Sequence, residues 1–367
     1  MDNKPTLKEL RIGDLTAKLP IIQGGMGVCV SLARLSSAVA NEGGIGVIAS
    51  VGLGRFEPDI FTNYVEANNR ALRKEIRKAR QLTNGLLGIN IMVALSNFAE
   101  LAQTAIDEGI DVIFSGAGLP LNLPQFLRKD RNTKLVPIVS SARAAKLICK
   151  RWKDKFNYLP DAIVVEGPLA GGHLGFKYEQ IFDPAFSLEN LVTEVIKEIK
   201  VIEQLYNKSI PVIAAGGIFS GEDIYNIFKL GVAGVQMATR FVTTHECDAS
   251  MAFKQAYINA KKEDIIIIQS PVGLPGRAIR NKFLDDVSAG KKKPFKCPYR
   301  CIITCDVKNS PYCIALALLN AQEGKLDEGF VFTGSNAYKI DKILSVKELI
   351  NSIIDEYNKA VEKYGPL

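Results

Sequence analysis

Short apolar runs rich in β-branched residues recur along this chain, each followed by glycine or polar turn residues and then by a longer amphipathic stretch. The runs are PIIQ (20–23), GVIAS (46–50), LGINIMV (87–93), DVIFS (111–115), VPIVS (136–140), AIVVE (162–166), PVIAA (211–215) and GVQMA (234–238). Brief and nearly continuous apolar runs of this kind predict strands buried on both faces. Between them, LARLSSAVANEG (32–43), FAELAQTAIDEG (98–109), ARAAKLICKRW (142–152), LENLVTEVIKEIKVIEQL (188–205) and GEDIYNIFKLG (221–231) place apolar residues at helical spacing. Ser220 is a predicted helix N-cap, and Gly109 and Gly231 are predicted helix stops.

Strands that alternate with helices form parallel βα units, and eight of them predict an α/β fold closed as a (β/α)8 TIM barrel. An open doubly wound sheet is the alternative, but its glycine-rich turn follows the first strand. Here glycine follows several strands. The pattern fades near residue 252, so 1–252 is the predicted barrel. Residues 253–333, with the isoleucine run 265–268, SPVGLPGR and a cysteine segment, read as a smaller cap, and 334–367 as a segment whose terminal helix returns to the barrel.

With 47% hydrophobic residues over 367 positions, the chain can bury a substantial core. A net charge of +7 is modest, and outside LRKEIRKAR (72–80) and Lys291-Lys292-Lys293 the basic residues are scattered. Solvated helix faces and a loop account for these clusters, so no nucleic-acid partner is expected. No run approaches the roughly 18 apolar residues of a membrane span, and the start MDNKPTLKEL lacks the apolar segment of a signal peptide. The expectation is a cytoplasmic protein without a membrane partner.

Of seven cysteines, Cys29, Cys149 and Cys247 are isolated and read as packing residues. Cys297, Cys301, Cys305 and Cys313 cluster in KCPYRCIITCDVKNSPYC, where the first three could share one helix face. The two-residue gaps usual for zinc and ferredoxin sites are missing, so reduced, partly buried thiols are expected and no metal is assigned.

Barrel chemistry gathers at the C-terminal ends of the strands. There the chain carries QGGMG (23–27), Asn90, SGAG (115–118), EGPLAGGHLG (166–175), AAGGIFSGED (214–223) and QMATRF (236–241). Glycine lets backbone approach a flat or anionic ligand closely. The common barrel phosphate site uses the loops after strands seven and eight, which predicts Gly216, Gly217 and the helix start at Gly221 on one side and Ala238, Thr239 and Arg240 on the other.

Taken together, QGGMG, GINIM, AGGHLG, IPVIAAGGI and VQMATRFV resemble the nitronate monooxygenase family, formerly 2-nitropropane dioxygenases, which includes FMN-dependent enoyl-acyl-carrier-protein reductases. The similarity spans about 15–245 and resumes in SPVGLPGRAIRN and TGSNAYKIDKILSVKEL. It implies an FMN site made by Gln23, Gly24, Gly25, Met26, Asn90, Glu166, Gly171 and Gly172, with the phosphate on Gly216, Gly217, Gln236, Met237, Ala238 and Thr239. It also implies that His173 faces the flavin as base or substrate-orienting group. A neutral imidazole suits either role, because it titrates near physiological pH. His245, beyond the eighth strand, reads as a surface or supporting residue.

Two activities follow from the resemblance. One is oxidation of alkyl nitronates with O2 to a carbonyl compound and nitrite. The other is reduction of an enoyl thioester, with NAD(P)H as reductant and acyl carrier protein as partner. Glu166 and Leu174 stand where monooxygenases of the family often carry glutamine and a polar residue, whereas Pro168-Leu169 departs from the reductase loop. Nitronate oxidation is the expected activity, and a homodimer the expected assembly. A flavin- or phosphate-binding barrel without turnover has no need of His173. A barrel resembling inosine-monophosphate dehydrogenase requires a cysteine after strand six, and none lies between 149 and 247.

Overall fold

A computed structural model describes residues 7–291, 297 and 299–367. Lys292 and Lys293 of the lysine cluster, and the first six residues, lie outside the described set. Eight parallel strands form the barrel: Ile21–Gln23 (β1), Gly46–Ala49 (β2), Leu87–Met92 (β3), Val112–Gly116 (β4), Lys134–Val139 (β5), Ile163–Glu166 (β6), Val212–Ala215 (β7) and Gly234–Met237 (β8). Each pairs with its sequence neighbour from β2 to β8, and β8 pairs with β1. The ring closes between β1 and β2 through Ile45 N–H to Ile21 O and Gln23 N–H to Ile45 O, both 3.0 Å. The fold is a (β/α)8 TIM barrel.

Both faces of these strands are apolar for a geometric reason. Successive side chains point to opposite faces, so Val164 and Phe114 fill the barrel interior while Ile163, Val165 and Ile113 meet the surrounding helices. Gly88 makes room for this packing, since a Cβ there would lie 2.7 Å from the Phe114 ring. An N-terminal hairpin, Leu10–Ile12 with Leu15–Ala17, adds Leu10, Ile12 and Ala17 to the interior cluster. Leu10 packs against Gly234, the first residue of β8, which puts the hairpin at the N-terminal end of the barrel. The opposite end remains for a ligand.

The outer helices show why their sequences fold locally. Ala142–Phe156 begins where the Ser141 hydroxyl accepts the Ala144 N–H and ends at Asn157 in the left-handed conformation. Between these caps it buries Ile148, Cys149 and Trp152 on one stripe. Tyr64–Leu82, which contains the basic stretch 72–80, is the longest helix after β2 and before β3. The C-terminal helix Val346–Tyr364 opens with a capping box between Ser345 and Glu348 and lies against Gly221–Phe228. Gly221 permits this approach, because a Cβ there would meet the Tyr357 backbone nitrogen at 2.1 Å.

A second, antiparallel sheet stands over the C-terminal end of the barrel. It contains Ile265–Gln269 (β9), Pro275–Ile279 (β10) and Val331–Phe332 (β11). Its fourth member is the two-residue strand Gly172–His173, which arises from the loop after β6 and pairs with Gly276 and Arg277 of β10. Phe283, Tyr312, Phe330 and Phe332 form an aromatic cluster with ring centroids 5.1–6.0 Å apart, giving this sheet its own small core.

The cysteine segment departs from expectation. Residues 299–313 contain no helix, so Cys297, Cys301 and Cys305 do not share a helix face. The irregular chain instead bonds to the loop after β3: Ser96 N–H meets Cys301 O and Ile303 N–H meets Ala94 O, both at 3.0 Å. Cys29, Cys149 and Cys247 are buried among apolar neighbours.

Candidate active site

The glycine turn after β1 is held from beneath. Gln23 is fully buried, its Oε1 accepting the Val47 N–H at 3.0 Å and its Nε2 donating to Gly24 O, so its amide is spent on the turn. Gly24 N–H donates to Met237 O at 2.8 Å, joining this turn to the end of β8. Met26 is fastened by its backbone to Ser31. A Cβ on Gly25 would stand 2.4 Å from Asn90 Cβ, and one on Gly24 would stand 3.4 Å from both Ala238 and Gln236. Asn90, Gln236 and Ala238 therefore close around two residues that lack side chains.

A second cradle forms from the loops after β6 and β7. Gly216 and Gly217 adopt φ of +92° and +88°, and a Cβ on Gly216 would meet Gly167 O at 2.8 Å. Gly171 presses against the backbone of Thr333 and Gly334, both 2.7 Å from where its Cβ would be, and Gly334 faces the Thr239 hydroxyl. Asn336 Nδ2 donates to Gly217 O at 2.7 Å, and Ser335 N–H donates to Leu169 O at 3.2 Å. The Ser335 hydroxyl is buried with no partner among the described residues. A buried hydroxyl left unpaired beside glycine turns is what an anionic group at this place would satisfy.

Two parts of the expected phosphate site are corrected. The Gly221 N–H is taken by Glu356 at 2.8 Å, and Asp223 accepts from the Phe219 and Ser220 amides. That helix start already has its negative charge. Arg240 Nη1 is bound to Glu356 at 3.1 Å and to Phe219 O at 3.2 Å, so its guanidinium fastens the C-terminal helix rather than facing the mouth.

Glu166 ends β6 and His173 follows in the loop gripped by β10. Glu166 has no hydrogen-bond donor among the described residues, and loss of hydration raises its carboxyl to about 7. Burial lowers His173 to about 4, so its imidazole is neutral at physiological pH. Its Nε2 lies 2.7 Å from the Ser270 hydroxyl, and its ring meets Phe332 edge-on at 4.9 Å. Gly172, at φ +74°, has open space where a side chain would stand. Leu174 turns inward, fully buried in the core, with its N–H on Pro275 O at 2.8 Å.

Arg277 on β10 is 5% exposed and donates through Nη1 to Pro168 O at 2.8 Å and also to Ala170 O. With Ser335 on Leu169 O, consecutive carbonyls of the β6 loop are fastened from the cap side. Burial lowers Arg277 to about 10, and it remains a cation. His245 is exposed, its backbone bonded to Leu344 and Arg34.

The family model for nitronate monooxygenase matches residues 8–356. The chain belongs to the nitronate monooxygenase family. Within this oxidoreductase family it is 29% identical over 324 residues to a probable nitronate monooxygenase of Staphylococcus aureus, covering 78% of this chain and 81% of that one. It is 25% identical over 366 residues to a 5-hydroxy-7a-methyl-1-oxo-octahydro-1H-indene-4-carboxyl-CoA dehydrogenase of Mycobacterium tuberculosis, covering 91% and 92% of the two chains. Among solved structures, FabK from Thermotoga maritima superposes with a TM-score of 0.71 at 29% identity over 95% of both chains. Nitroalkane oxidase from Streptomyces ansochromogenes shares the fold with a TM-score of 0.72 at 20% identity, over 95% of this chain and 98% of that one.

For this family member, Ser270, Arg277, Phe332, Gly334, Ser335 and Asn336 contact the loops of the candidate site, and spacing alone does not single them out. They lie in SPVGLPGRAIRN and VFTGSN, stretches near or within those that carry the family resemblance. The available signal was thus the segment, while the individual contacts depend on closure over the mouth.

Proposed function

We propose that the protein is an FMN-dependent nitronate monooxygenase, oxidising alkyl nitronates with O2 to a carbonyl compound and nitrite at the C-terminal mouth of its barrel. The observation that carries this is the convergence, at the C-terminal ends of the barrel strands, of two close-packed turns in which Gly25 and Gly216 leave no room for a Cβ and a neutral imidazole held in the loop after β6. Gly24, Gly25, Asn90 and Gln236 suit the edge of a flat ring, and Gly216, Gly217, Thr239 and the unpaired Ser335 hydroxyl suit its phosphate. Bound FMN supplies the acceptor for the substrate's electrons.

His173 and Ser270 do the orienting. Ser270 Oγ accepts the Val272 N–H at 3.4 Å and lies 2.7 Å from His173 Nε2. In the tautomer in which the Ser270 hydroxyl donates to Nε2, the ring proton resides on Nδ1 and would donate to a nitronate oxygen. With its pKa near 4, His173 is a better hydrogen-bond donor than proton acceptor, and Glu166, near 7, is the group suited to hold a proton at neutral pH.

Enoyl-thioester reduction with NAD(P)H, acyl carrier protein delivering the substrate, is the second reading. It is supported by Glu166 at the end of β6 and by similarity to a relative whose name is that of a carboxyl-CoA dehydrogenase. A thioester carbonyl would accept the same Nδ1 hydrogen bond. Purified protein should release FMN on denaturation and form nitrite from an alkyl nitronate under air. Consumption of NADPH with crotonyl thioester, without nitrite formation, selects the reductase; a colourless chain that takes up no FMN removes both.

A further inference from the structure

The four cysteines of the cap have no role in the chemistry above. With three, three and seven residues between them, Cys297, Cys301, Cys305 and Cys313 all line a single cavity of about 270 Å³, together with the apolar Ile302 and Ile314. All four are free thiols, and Cys301 lies within electrostatic reach of the other three. Packing alone does not explain the arrangement, because a thiol that merely fills a core has apolar atoms against it rather than a shared void.

The local chain is built to hold this geometry. Asp306 accepts from the Asn309 side chain at 2.7 Å, and its carbonyl accepts the Ser310 N–H at 2.9 Å, closing the turn that brings Cys313 back toward Cys305. Cys313 then begins the helix Ile314–Gln322. On the other side, Tyr299 stacks on Phe61 at 5.6 Å, and Ile302 bridges to Leu95.

The size of the cavity separates the ligands it suits. A single zinc ion would draw four sulfurs to about 2.3 Å from one point, yet no three such side chains among the described residues stand close enough to hold one ion. An iron–sulfur cubane differs, since each thiolate binds a separate iron at a corner and the sulfurs stand around a cluster-sized space. We propose that Cys297, Cys301, Cys305 and Cys313 bind a [4Fe–4S] cluster in the cap, bonded through Ser96 and Ala94 to the loop that follows β3. Such a cluster takes up one electron at a time and stands on the loop next to the strand that carries Asn90.

Anaerobic purification followed by iron, acid-labile sulfide and flavin analysis tests this. The expected result is about four iron and four sulfide per chain, with an EPR signal on dithionite reduction that flavin does not give. Cys301→Ser and Cys305→Ser should each lose most of the iron and sulfide and retain FMN. If isolated protein lacks the metal, anaerobic reconstitution with ferrous iron and sulfide should install it. Failure of reconstitution in folded protein, a single zinc ion, or iron unaccompanied by sulfide overturns the proposal. Cluster without FMN would remove the flavin assignment and leave this one standing.

Discussion

His173 Nε2 and Ser270 Oγ are 2.7 Å apart across 97 residues of sequence, one from the loop after β6 and the other from the turn between β9 and β10. The contact holds the ring from the cap side, with Ser270 able to donate to or accept from Nε2. His173→Ala should reduce turnover by roughly 100-fold or more, and Ser270→Ala by about tenfold, each with FMN retained. Steady-state kinetics beside flavin content checks this, and unchanged turnover in Ser270→Ala would detach the serine from catalysis.

Burial acts oppositely on the two titrating groups of the mouth. His173 falls from 6.5 to about 4, so between these values the unfolded chain binds more protons and native stability rises with pH. Glu166 rises from 4.5 to about 7, so there the native chain binds more protons and stability declines as pH increases. Glu166→Gln should therefore stabilise the protein by roughly 1–3 kcal/mol near pH 8 and leave it little changed near pH 4. Denaturant unfolding at both pH values and equal flavin occupancy measures it; an equal effect at both would contradict the assignment.

Arg277 fastens two carbonyls of the loop that carries the glycine cradle. Arg277→Met leaves both acceptors without a donor, and Arg277→Lys cannot reproduce the fork geometry. Flavin affinity should weaken by about tenfold in the methionine variant and by less in the lysine variant. Titration of the flavin-free proteins with FMN gives the comparison, and wild-type affinity in Arg277→Met would show that the loop holds its shape without the guanidinium.

Gly171→Ala would drive a methyl group to 2.7 Å from the Gly334 nitrogen, whereas Gly231 has nothing within 4 Å of its Cβ position and φ +89°. The first variant should emerge without flavin. Gly231→Ala should keep it and lose about 1 kcal/mol to backbone strain. Absorbance spectra of the two purified variants distinguish lost cradle shape from general instability.

Periodicity carried the barrel because its strands are apolar on both faces: Val164 and Val165 look inward and outward and must both be apolar. The glycines of the mouth were legible as glycines, and their convergence with Asn90 and Gln236 followed from barrel closure. Arg240 and Gly221 were misassigned because Glu356, more than 100 residues away, takes both their donors. The helix face that the four-residue spacing of Cys297, Cys301 and Cys305 allows is not realised, because the segment is not helical. Ser270 and Arg277 carry no local pattern, and their roles exist only once β10 pairs with Gly172–His173.

The most direct test of the central claim mixes the flavin-loaded protein anaerobically with an alkyl nitronate and follows the visible flavin absorbance, then admits O2 and assays nitrite. Nitronate oxidation at this mouth predicts loss of absorbance without NAD(P)H, followed by its recovery and nitrite formation under oxygen. Absorbance untouched by nitronate but lost on addition of NADH or NADPH would contradict it.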